Sequence, residues 1–187
     1  MRKKGFTLAE VLITLGIVGV VAALTIPAMT QNVARRQVGP ALAKAINNLE
    51  MANKKALADN DARRLGEVNE DYFTLLDSQL AGNIIEKNQL RYYITNDGIT
   101  YLDNSVEEKD YYALNIDING NSKHPNLGGI DIFKVYVTQS GAVIAAGSRD
   151  AVTLGEHTSV IDCNDSATPK TEDCTNTIIE DGWEMKY

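Results

Sequence analysis

The sequence predicts an α+β fold in which one long N-terminal helix packs its second half on an antiparallel β-sheet. Three observations carry the prediction. The chain opens on an uncharged apolar run. A stripe of apolar residues at helical spacing follows. From position 90 onward the pattern changes to short strand-like runs separated by turn residues.

The apolar run has no charged side chain from Val11 to Met29, a stretch of 19 residues. As a helix it is long enough to cross a hydrocarbon layer about 30 Å thick. Arg2, Lys3 and Lys4 precede it, and a basic leader stays on the cytoplasmic side. The remainder of the chain is then expected across the inner membrane. Beyond the run, Val38, Leu42, Ala45, Leu49, Ala52 and Ala56 recur every three or four positions. That is the apolar stripe of an amphipathic helix, with Arg35, Arg36, Lys44, Glu50, Lys54 and Lys55 mostly off it. The expected helix runs from about 6 to 58. Pro27 should bend it, and Gly39-Pro40 marks a second bend or break.

The expected division is a leader at 1–5, a membrane-spanning helix at 6–29, its amphipathic second half at 30–58, and a soluble head at 59–187. Positions 59–89 read as a connection holding a short helix from about Tyr72 to Leu80, with Glu70 and Asp71 suited to its start. The runs 90–95 and 99–102 flank Asn96-Asp97-Gly98, a hairpin signal. A further strand is expected over 111–118, and a second hairpin over 133–145 around Gln139-Ser140-Gly141. That makes about five strands. The tail from Thr177 to Tyr187 is apolar enough to form a last strand or to pack on the sheet, with Trp183 in the core.

Charge and composition exclude several function classes. The net charge is −7, and removal of the three leader cations would take it to −10. An acidic head is a poor nucleic-acid surface, because phosphate binding takes clustered Lys and Arg. No nucleophile elbow, phosphate loop or zinc-protease signature occurs, and His124 and His157 sit in no spaced metal motif. Enzyme activity is not expected. The two cysteines, Cys163 and Cys174, are too few and too far apart for a zinc site. In an exported head they would form a disulfide.

The most informative residue is Glu10, a carboxylate at the very start of the apolar run. A charge in hydrocarbon is costly unless paired, and such residues are functional candidates. Cleavage between Gly5 and Phe6 would create an amine four residues before it, on the same helix face. In a bundle of such helices, Glu10 of one chain could neutralise the amine of its neighbour and fix the axial register. A secretory signal peptide cut near Ala23 or Ala28 is the competing reading. The length of the run and the acid at its start count against it.

The string from Lys3 to Pro27, KKGFTLAEVLITLGIVGVVAALTIP, resembles the prepilin-type cleavage and methylation motif of type IV pilins and type II secretion pseudopilins. The resemblance covers roughly residues 1–35. It implies cleavage after Gly5, N-methylation of the new terminus Phe6, assembly through Glu10, and a kink at Pro27. It also implies a pilin-like fold and a filament subunit that would partner its own copies and other pilin-like chains. A prepilin peptidase and an inner-membrane assembly platform with its ATPase would serve it, and the filament would be periplasmic or extracellular. The alternative is a single-pass anchored protein whose head binds a cation, a glycan or a protein and does not polymerise.

No cofactor is required by any of these features. One turn admits calcium: Asp117, Asn119 and Asn121 alternate as oxygen donors, and Asp131 could close the set. The glycine of a calcium loop is out of place, no distant bidentate Glu is evident, and Asp, Asn and Gly are also ordinary turn formers.

Overall fold

Helix α1 (Leu8–Asp59) is 52 residues long and forms the axis of the molecule. The structure is a computed structural model that describes residues 5, 7–68, 70–87, 90–106, 109–120, 123 and 125–187, without the side chains of 27–34. Thr7 starts α1 through a capping box, its hydroxyl accepting from the Glu10 amide while the Glu10 carboxylate accepts from the Thr7 amide. The helix stops at Asn60, whose amide and side chain both donate to the Ala56 carbonyl. Asp61 then turns the chain at φ +48°.

The helical stripe is buried as its spacing requires. Val38, Leu42, Ala45, Leu49, Ala52 and Ala56 are all at most 6% exposed. Of the bend or break expected at Gly39-Pro40, the break does not occur, and α1 runs through both residues. Gly39 is buried because the C-terminal tail crosses the helix there, while Pro40 faces solvent. A missing N–H is tolerated on that side, where water can satisfy the freed carbonyl. The helix assignment also continues through position 27.

Helix α2 (Tyr72–Gln79) is capped by Asp71, whose carboxylate accepts from the amides of Phe73 and Thr74. The sheet follows as an antiparallel meander of six strands in sequence order. They are β1 (Gly82–Lys87), β2 (Leu90–Thr95), β3 (Thr100–Asp103), β4 (Tyr111–Asp117), β5 (Ile132–Thr138) and β6 (Val143–Ala145). The sequence foresees five of them and places β1 in a connection. This strand lies on the sheet edge and is exposed over most of its length, so it lacks the alternation that marks a half-buried strand. Gly98 and Gly141 turn the two predicted hairpins at φ +91° and +82°.

One face of the sheet packs on the α1 stripe through Tyr93, Tyr101, Leu114, Ile116, Phe133, Val135 and Val137. Two polar contacts fix the helix on it. The Tyr101 hydroxyl donates to the Ala45 carbonyl at 3.1 Å. Asn53, fully buried, donates to the Gly141 carbonyl at 3.2 Å and accepts from the Tyr72 hydroxyl at 3.0 Å. Each polar atom of that side chain is therefore used, as a buried amide requires. On the other face, Tyr111, Ala113 and Tyr136 pack against Ala146 and against Ala151 of α3 (Arg149–Thr153).

Cys163 and Cys174 are bonded and fully buried. Of the two conformations expected for the tail, the last strand does not form. Helix α4 (Thr175–Glu180) takes the first part, where Thr-Asn-Thr-Ile-Ile-Glu has no period-two alternation. Trp183, Met185 and Tyr187 then pack on the core, and the Tyr187 hydroxyl donates to the Gly129 carbonyl at 2.9 Å.

Candidate assembly site

The apolar half of α1 has nothing to pack against within its own chain. From Leu8 to Ile26 the mean hydropathy reaches 2.3 and none of the segment is buried in the head. Leu8 and Leu24 are 79% and 74% exposed. Its polar groups are satisfied internally, since Thr14 and Thr25 donate to the carbonyls of Val11 and Val21. Backbone and hydroxyls are thus suited to a medium without water. A methyl group placed at Gly16 or Gly19 would meet nothing within 4 Å, so both leave open surface where a neighbouring helix could approach closely.

Glu10 sits on the first turn of this rod. One carboxylate oxygen accepts from the Thr7 amide at 2.8 Å and from the Thr7 hydroxyl at 2.7 Å. Among the described residues no cation pairs with it. The helix therefore presents a capped acid at the head of an otherwise apolar surface. Gly5 is exposed, and a Cβ added to it would also meet nothing within 4 Å. Phe6 and the side chain of Pro27 lie outside the described residues.

Residues 1–26 match the family model of the prokaryotic N-terminal methylation motif. The motif is the hallmark of prepilin-type signals and marks the chain as a prepilin-like substrate with a membrane-capable helix. It indicates a structural subunit, processed by prepilin peptidase and assembled with other pilin-like chains. Comparison with curated proteins and with solved structures found no match.

The second candidate, the acidic turn, is assembled in part. Asp117 and Asp131 are 6% and 2% exposed. One Asp117 oxygen accepts from the amides of Asn119 and Gly120, and both Asp131 oxygens accept from backbone amides, those of Asn126 and Leu127. The Asn119 side-chain amide donates to Asp131 at 3.2 Å. These bonds close two loops on each other, a use of Asp131 that its sequence position does not disclose. Two buried oxygens, Asp117 Oδ2 and Asn119 Oδ1, have no hydrogen-bond partner among the described residues. Burial, with the charge of Asp131 adding to it, pushes the Asp117 carboxyl above its usual range. Asn121 and His124 lie outside the described residues. Among the described residues, no group of three His, Cys, Asp or Glu side chains is placed to hold a metal.

Proposed function

We propose that the chain is an inner-membrane precursor that a prepilin peptidase cuts after Gly5 and that then polymerises into a pilus or secretion pseudopilus. The head lies across the membrane and covers the filament surface. The carrying observation is the unburied, internally satisfied rod from Leu8 to Ile26 with a single acid, Glu10, at its head. Such a surface is unstable in water and needs lipid or other apolar helices around it. Packed against its own kind, it would bury Glu10 against a neighbour's new amine. In any other axial register a charge would be left unpaired in an apolar medium. The inner-membrane platform and its ATPase would supply the extraction step.

Mass spectrometry of the N-terminus tests the reading. The expected product begins at a methylated Phe6. A working protein that retains Met1 to Gly5 would overturn it.

One observation favours the second reading, an anchored head that binds a cation. Asp117 Oδ2 and Asn119 Oδ1 are hard donors, buried without a partner among the described residues, which suits calcium. Calorimetry of the chain with and without calcium decides this, and an unchanged melting temperature retires the ion.

A further inference from the structure

The head is acidic overall, yet its end nearest the membrane span holds cations that no described carboxylate pairs. A cavity of 720 Å³ opens there between the first buried turn of α1, the loop after β4 and the C-terminal tail. Arg35 and Lys123 stand at it over an apolar floor of Val38, Ile130, Met185 and Tyr187. Arg36 is the next residue on the helix. All three basic side chains are exposed, and among the described residues none pairs with a carboxylate. The acids bordering the cavity are already engaged. Asp97 pairs with Lys44, and both oxygens of Asp131 accept backbone amides. The ammonium of Lys170, also at the wall, is taken up by the carbonyls of Cys163, Asp165 and Thr168. Hydrogen bonds leave formal charges in place, so with Asp97 matched by Lys44 the cations at the wall, Arg35, Lys123 and Lys170, outnumber Asp131, and the charge left over at this end is positive.

Its height above the bilayer follows from the helix. Arg35 is six residues beyond Met29, the last residue of the uncharged run, or roughly 9 Å along the axis. A headgroup layer is roughly 5–8 Å deep on each side, and an extended arginine covers the difference.

We propose that this cavity receives the phosphate headgroup of an anionic phospholipid and seats the head on the membrane before assembly. The phosphate meets Arg35 and Lys123, and the glycerol part lies over the apolar floor; Arg36, outside the cavity, adds charge toward the lipid surface. The inference rests on the membrane-anchor reading above.

The test uses the full chain in nanodiscs of phosphatidylcholine alone or with phosphatidylglycerol. Trp183, the single tryptophan, lies on the core beside Met185 and Tyr187. Nitroxide on the lipid headgroups should quench it at least about two-fold more with the anionic lipid, and half-molar salt should remove the difference. Each basic residue near an anionic surface is worth roughly five-fold in partitioning, so Arg35→Gln with Lys123→Gln should weaken docking about 25-fold. Both side chains are exposed and pair with no described acid, so the melting temperature should hold; Arg36→Gln provides an independent, smaller loss. Equal quenching in both lipids, or a lipid effect that survives the double variant, overturns the inference. A Trp183 emission shift produced by glycerol phosphate over phosphatidylcholine alone assigns the cavity to a soluble phosphate and also overturns it. Failure of the chain to enter nanodiscs overturns the anchor reading itself.

Discussion

The backbone carbonyl of Trp183 rests on Gly39, so close that a side chain there would begin 1.7 Å from its oxygen. The tail can cross α1 at that point only because position 39 carries no Cβ. Gly39→Ala should therefore push the tail off the helix in spite of the better helix propensity of alanine. Overpacking of this kind costs about 1–3 kcal/mol, and a thermal melt that matches or exceeds the parent's would refute the contact.

Asp71 caps α2 and pairs with Arg91 at 2.6 Å. The hydrogen bond from Arg91, with the amides of Thr74 and Phe73, holds its carboxyl below the ordinary value of 3.8. A lowered carboxyl stabilises the fold above the unfolded value, and that contribution fades as pH falls through the folded one. Asp71→Ala should cost about 1 kcal/mol at pH 7. The gap between variant and parent should close as the pH drops below the unfolded value. A gap that stays constant to pH 2 would show that the charge has no part in it.

Replacing Cys163 and Cys174 together by serine opens the loop between them. A chain-entropy argument gives a loss of about 2–4 kcal/mol, and denaturant unfolding measures it. The Thr177 hydroxyl, which accepts from the Cys163 amide at 2.9 Å, should preserve part of the local geometry.

Glu10→Ala should leave membrane insertion, cleavage and the melting of the head unchanged. Filament yield should fall at least about ten-fold, because the neighbour's amine loses its counter-charge in an apolar medium. Gly5→Leu should stop trimming altogether. Wild-type filament levels from the first variant, or a trimmed product from the second, would each refute the role given to that residue.

If calcium enters the acidic turn, it takes Asp117 Oδ2 and offsets the burial, and the lesser repulsion from Asp131, that raise its carboxyl. Calcium should then raise the melting temperature of the parent but not of Asp117→Asn. The same rise in both chains would place the ion elsewhere.

Much of this was legible in the residues. The α1 stripe is readable because a half-buried helix repeats its apolar positions, and all six stripe residues are buried. Asn96-Asp97-Gly98 marks its hairpin because Gly98 needs a positive φ. The prepilin signal is readable because its acid and its glycine stand in surroundings that otherwise exclude them. Strand β1 is hidden since an exposed edge leaves no burial pattern. Gly39-Pro40 misleads for a different reason. Local propensity reports the helix's own backbone, whereas Gly39 is dictated by a segment far along the chain. Asp131 is legible as a residue that could close the turn, but the amides it holds are hidden, because they are set by loop closure and not by spacing.

The C-terminal tail, which packs Trp183, Met185 and Tyr187 onto α1 and the sheet, has a consequence for timing. These residues are synthesised after α1 and all six strands that they help to cover. The groove at Gly39 stays open until they arrive. A chain interrupted before Trp183 would thus expose apolar surface to passing chaperones and proteases.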